Sequence, residues 1–328
     1  MRILVIGYGS IGKRHATNIR ATRHEVVLLR HSKDNPNNDG FREYYSFEEA
    51  VAGDKIDGAI ICSPTSRHFP DVERLVHLRI PFLLEKPPSA DLKSTLLMEK
   101  LLQKSGLKNY EIGFNLRYYP ALKFIKDFLP ELGKIYSSRI AAGYYLPYWR
   151  KGVDYRETTS ASKELGGGVH VELVHEFDYL LWFFGSPERV IGYINRVSNL
   201  EISTEDICAA LLRYQDGSIV ELHLDYLSHR YLRYCQIIAE NGTLEWDMNT
   251  GGVLYSMKGQ ETAEEVFSPD TDYDFNDTYI AELENFIGIV NRQAEGKVSI
   301  IDAIDTMKVL EAIKISSEKE EWVYLKDI

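Results

Sequence analysis

Gly7-x-Gly9-x-x-Gly12 follows the apolar run RILVI and opens a helix-forming stretch. In that setting the glycines permit a tight turn, close approach of a pyrophosphate to the backbone, and close helix packing, and the helix N-terminus favours phosphate charge. Gly7, Gly9, Ser10, Ile11 and Gly12 are therefore the candidate phosphate cradle. A carboxylate about 20 residues further on normally receives the ribose hydroxyls of such a dinucleotide. Here the second strand ends Leu29-Arg30-His31-Ser32, with no acid. Arg30 is either a partner for a 2′-phosphate, which predicts NADP over NAD, or a solvated arginine beside a loop.

Two further groups have the makings of proton chemistry. PFLLEKPP places Glu85 and Lys86 at the end of a strand, and a lysine there can hold a substrate oxygen and stabilise charge as hydride moves. Gly166-Gly167-Gly168 precedes a stretch carrying Glu172, His175, Glu176, Asp178 and Tyr179. On one continuous helix, Glu172, His175, Glu176 and Tyr179 share a face, and a histidine flanked by carboxylates relays protons near neutral pH. The spacing is not that of a His-Glu-x-x-His zinc helix, so no metal is expected. Ser63, Pro64 and Thr65 end another strand where a loop would lie over the cofactor. His68 is either a cofactor contact or an ordinary helix-start histidine.

The elements that must position these residues alternate at first: RILVIG, a helix from Ile11 to Thr22, EVVLLR, a helix near Ser46 to Val51, DGAIICS, a helix from Phe69 to Leu78, PFLLEKP, a helix from Leu92 to Gln103, and YEIGFN. Strand and helix in short alternation predict a doubly wound parallel sheet over residues 1–115. HSKDNPNND reads as a surface loop. From Lys134 the strands lengthen and hairpin signals appear at Asp216-Gly217 and Asn241-Gly242, which predicts a large, mostly antiparallel open sheet in a second α/β domain over residues 116–328. Neither alternating set in Ile207–Tyr214 is polar, so both faces of that strand should be covered, one of them by another subunit in a homodimer or homotetramer.

Composition excludes several classes. A net charge of −11 disfavours nucleic acid and anionic membranes as partners, leaving a small molecule. No apolar run approaches membrane-spanning length and the chain opens on a strand, so a cytoplasmic protein is expected. Cys62, Cys208 and Cys235 lie far apart in apolar sequence and read as buried thiols.

The ordered set GYGSIG, SPTSRH, EKPP, GFNLRYYP and GGGVHVELVHEFD resembles the glucose-fructose oxidoreductase / inositol dehydrogenase / MocA family over almost the whole chain. The resemblance implies a Rossmann domain joined to an α/β domain whose open sheet often forms an oligomer interface. It also implies hydride transfer between NAD(P) and a CH–OH carbon of a sugar, nucleotide sugar or cyclitol. Lys86 matches the lysine of the family's Glu-Lys-Pro, and His175 and Asp178 match its His-x-x-Asp. Where members often carry an aspartate four residues ahead of that histidine, this chain has Val171, and Glu172 stands three ahead as the substitute. YYLPYWRKGVDYRETTSASKELGGG resembles a substrate-side loop of one branch, which makes Tyr145, Trp149, Tyr155 and Arg156 substrate contacts, with Arg117 a further one. Imine, enone or aldehyde reduction on the same fold, and a non-catalytic sensor of nicotinamide or sugar, are the rival readings.

Overall fold

The computed structural model describes residues 1–33 and 37–328, so residues 34–36 of the expected HSKDNPNND loop lie outside the described residues. The chain divides into two compact units, Met1–Asn115 with Phe275–Ile304, and Leu116–Asp274 with Asp305–Ile328.

In the first unit β1 (Arg2–Ile6), α1 (Ser10–Ala21), β2 (Glu25–Leu29), β3 (Arg42–Tyr44), α2 (Phe47–Gly53), β4 (Gly58–Ile61), α3 (His68–His77), β5 (Phe82–Glu85), α4 (Leu92–Ser105) and β6 (Tyr110–Gly113) follow in order. The strands are all parallel, in the order β3-β2-β1-β4-β5-β6. That order reverses between β1 and β4, and a ligand crevice lies outside the strands' carboxyl ends at such a switch point. β4 and β5 are buried along their whole length, as a sheet covered on both faces requires.

The second unit begins with α5 (Pro120–Phe128), β7 (Ile135–Gly143), α6 (Val169–Glu172), α7 (His175–Phe184), β8 (Arg189–Asn195), β9 (Ile207–Arg213), β10 (Ile219–Asp225), β11 (Leu232–Ala239), β12 (Gly242–Asp247), β13 (Val253–Met257) and β14 (Glu264–Phe267). After it come α8 (Asn276–Val290), α9 (Ile300–Lys319) and β15 (Val323–Tyr324). The second sheet runs β14-β13-β12-β11-β7-β10-β9-β8-β15, antiparallel except for the β7–β10 pair. Both expected hairpins form, and Gly217 takes the positive φ of 89° that its tight turn needs. On β10 Val220, Leu222 and Leu224 are buried while Glu221 and His223 are exposed, so the inner face is apolar.

One expectation needs correction. The late helix does not belong with residues 116–274: Leu283 and Phe286 of α8 pack into the first unit's core with Ile3, Val5, Ile19, Leu28 and Ile60. An amphipathic helix joins whichever sheet its apolar stripe can cover, and sequence proximity does not decide that. Within β9, Cys208 and Leu212 are buried but Ile207, Ala209 and Leu211 are only half-covered, and Tyr193 on neighbouring β8 is 47% exposed. No helix is long and apolar enough to cross a membrane among the described residues. The three cysteines are free and buried, as the sequence predicts.

Candidate active site

In the first unit the phosphate turn is set by backbone crowding. A Cβ at Gly12 would lie 2.1 Å from the Gly7 carbonyl oxygen, and one at Gly7, where φ is +93°, would lie 2.6 Å from the Cys62 oxygen. Gly9 faces open space and caps α1 with no side-chain hydrogen bond, and no acid stands in the first turn. The N–H groups and positive dipole end at Ser10 and Ile11 are thereby left for an anion.

The end of β2 departs from a simple phosphate-binding arginine. Arg30 is buried and its Nη1 pairs with Glu43 at 2.8 Å. A hydrogen bond from Tyr45 and then the one from Arg30 hold the Glu43 carboxyl below its ordinary range. After β4, Ser63 donates to Asp71 at 2.7 Å, Pro64 is exposed and Thr65 is half-buried at the start of a short 3-10 turn. The expected cofactor contact at His68 is corrected: the ring is buried and its nitrogens meet the carbonyl oxygens of Pro87 and Ser63, each at 2.9 Å. It braces two loops, and burial lowers its pKa. Glu85 is buried at the end of β5 and half-buried Lys86 follows it.

In the second unit the stretch from Val169 to Phe184 is two segments, not one helix. Leu173, with φ −96° and ψ 33°, ends α6 before α7 begins at His175. Glu172 and His175 therefore do not share one continuous face. Glu172 accepts from Ser160 Oγ at 2.7 Å. The acids of α7 form no solvated face either: Glu176 pairs with Arg233 at 2.7 Å, and Asp178 receives Nε and Nη2 of Arg117 at 2.7–3.1 Å, all buried. Arg117, expected as a substrate contact, is thus tied into the core. His175 is 7% exposed. Five residues earlier, in α6, burial pushes the His170 imidazole down to about 4, with Lys314 adding to this and Glu205 opposing it, so His170 is neutral near pH 7.

The aromatic loop is real and larger than the sequence motif marked. Tyr145 packs at a tilt against His229 at 4.5 Å between centroids and meets Tyr148 edge-on at 4.9 Å, while Tyr144 meets Tyr231 at 5.8 Å. Tyr148 is 54% exposed. Trp149 packs on Tyr226 and donates to the Tyr144 carbonyl, and the Tyr155 hydroxyl accepts the Glu201 N–H. Arg156 is held by Asp154 and Glu201. Sequence reading passed over Tyr144 and Tyr148, which stand in the same YYLPYW run, and His229, for which no local signal existed.

A glycine turn at a parallel-sheet switch point and a lysine at a strand's carboxyl end suit a dinucleotide-dependent oxidoreductase. Residues 1–114 match the NAD-binding Rossmann fold of the Gfo/Idh/MocA oxidoreductase family, and residues 130–325 match its C-terminal alpha/beta domain. The chain belongs to that family. It is 22% identical over 305 residues to an inositol 2-dehydrogenase of Corynebacterium glutamicum, covering 89% of this chain and 86% of that one. It is 21% identical to a D-xylose 1-dehydrogenase (NADP(+)) of Haloferax volcanii, covering 96% of each. A levoglucosan dehydrogenase solved with NADH and L-sorbose has the same fold, with a TM-score of 0.85 at 16% identity over 99% of this chain and 98% of that one. The protein is an NAD(P)-dependent oxidoreductase.

The Arg117–Asp178 pair yields a test of its structural role. Asp178→Asn leaves a buried guanidinium without its counter-charge and is expected to cost about 3–5 kcal/mol of stability, read by denaturant unfolding. A loss below about 1 kcal/mol would return Arg117 to the list of available ligand contacts.

Proposed function

We propose that the enzyme interconverts a CH–OH carbon and a C=O carbon on a neutral cyclitol or sugar. The carrying observation is the near full-length match to dehydrogenases of inositol and xylose. A second feature favours a neutral polyol over a nucleotide sugar: Arg117 and Arg156, the arginines expected to meet an anionic group, are already paired with carboxylates. A nicotinamide cofactor held at the Gly7–Gly12 turn would supply the hydride acceptor for the CH–OH carbon. His175 is the proposed acceptor of the hydroxyl proton, and Lys86 is the proposed group that offsets charge developing on the substrate oxygen. The exposed and half-buried aromatic rings of Tyr145 and Tyr148 suit the apolar face of a sugar ring. A cytoplasmic setting, consistent with three free cysteines, belongs to the same reading.

The test is turnover of myo-inositol, D-xylose and D-glucose followed by nicotinamide absorbance. Lys86→Ala and His175→Ala should each lower kcat by about 10²- to 10⁴-fold with cofactor affinity nearly intact. A variant that keeps wild-type turnover removes that residue from the mechanism.

For the cofactor, we propose that NAD(H) binds better than NADP(H), reversing the expectation drawn from Arg30. A 2′-phosphate would have to draw that guanidinium away from Glu43, itself an anion. Titration should show tighter NADH than NADPH in wild type, and Glu43→Gln should improve NADPH by about tenfold, the size of one lost like-charge contact. Tighter NADPH binding in wild type would reverse the assignment.

The half-covered outer row Ile207, Ala209 and Leu211, together with Tyr193 and Tyr136, supports self-association through the second sheet. Sedimentation should give a dimer or tetramer at micromolar concentration, and Leu211→Asp should shift it toward monomer. A wild-type monomer there would refute it.

A further inference from the structure

His15 on α1, Glu85 at the end of β5 and Glu282 on α8 meet inside the first unit. His15 and Glu282 are fully buried and Glu85 is 6% exposed, and one nitrogen or oxygen from each lies within 4.8 Å of the others. His15 Nε2 stands 2.6 Å from Glu85 Oε1, and Glu85 Oε2 accepts the Lys86 backbone N–H at 3.3 Å. Both Glu282 oxygens are sealed from solvent and have no hydrogen-bond partner.

Two carboxyl groups buried this close cannot both carry charge without a neutralising cation or proton. A divalent metal bound at about 2.0–2.2 Å keeps neighbouring donor atoms about 3 Å apart or more. The His15–Glu85 separation of 2.6 Å is that of a hydrogen bond with one proton between the atoms. The other titratable groups around the cluster do not supply a counter-charge to Glu282. Cys62 follows β4 and is buried, and Tyr279 lies one turn away on α8. Arg14 of α1 is engaged over the Tyr279 ring at 4.7 Å. Glu111 of β6 adds negative charge and is held by Asn285 and the Lys297 N–H. Burial first, then the charges of Glu85 and Glu111, raise the Glu282 pKa well above the carboxyl range.

We propose that Glu282 is a neutral carboxylic acid facing the Glu85 carboxylate, and that the His15–Glu85–Glu282 unit is a positioning device for Lys86. Keeping Glu282 neutral leaves Glu85 to bridge His15 and the Lys86 N–H with no second charge facing it. That fixes the main chain from which the Lys86 side chain departs. The positioning role rests on the reaction proposed above; the protonation state does not.

The experiment compares wild type with E282Q, which keeps a neutral donor, and E282M, which keeps the volume without one. Thermal unfolding is followed from about pH 5 to about pH 9, above the ordinary carboxyl pKa. A carboxyl whose pKa is raised by folding retains a proton that the unfolded chain has lost, so its contribution falls as pH rises. Wild type should therefore lose melting temperature relative to E282Q as pH rises. A constant difference would overturn the neutral-acid assignment, as would stabilisation by added zinc or manganese that E282Q abolishes. With an identified polyol, E282M should lower kcat about tenfold at unchanged NADH affinity, and E282Q should recover most of that loss. Wild-type turnover in E282M would overturn the positioning role. The unfolding series needs no substrate, so it decides the protonation state even where no polyol is turned over.

Discussion

In the first unit the chain leaves β1, turns, and starts α1 within a few residues. A single added methyl at Gly12 would collide with the Gly7 carbonyl at 2.1 Å. This crowding sets α1 tight against β1 and aims its unsatisfied N–H groups past open-faced Gly9. It also carries His15 on α1 inward to Glu85, so one glycine-dependent turn places both the phosphate end and the support beneath Lys86.

In the second unit, buried charge is used for architecture. Arg117 with Asp178 and Arg233 with Glu176 tie α7 to a short turn after β6 and to β11. Each pair is costly to desolvate and becomes tolerable only because both partners are present. The consequence is chemical as well as structural. α7 carries a histidine at its start and two acids, and it presents both acids to arginines, while His170, pushed down to about 4, is neutral near pH 7. Arg156 is likewise held by Asp154 and Glu201.

The candidate site residues were legible in sequence wherever spacing alone constrains their place in the fold. Three glycines after a strand can serve few purposes, and a lysine followed by two prolines at a strand end must stand at the sheet's carboxyl edge. The alternation of strand and helix up to residue 115 and the two hairpin turns after it came from local period and turn chemistry, which act over a handful of residues. The break between Glu172 and His175 was not legible, because Leu173 and Val174 are ordinary helix formers by pattern and the interruption is imposed by packing.

What only the tertiary structure decided depends on partners far away in the chain. Whether an arginine is free for a ligand or bound in an ion pair depends on a carboxylate that folding brings to it: Glu43 for Arg30, and Asp178 for Arg117 across 61 residues. Glu282 reaches His15 only because α8 returns to a sheet completed long before it in sequence. Sequence by itself determined the repeating elements, the cradle and the polar groups at strand and helix ends, since each follows from neighbouring residues. Charge state and availability are set by burial and by opposing charges in three dimensions, and no local pattern encodes those.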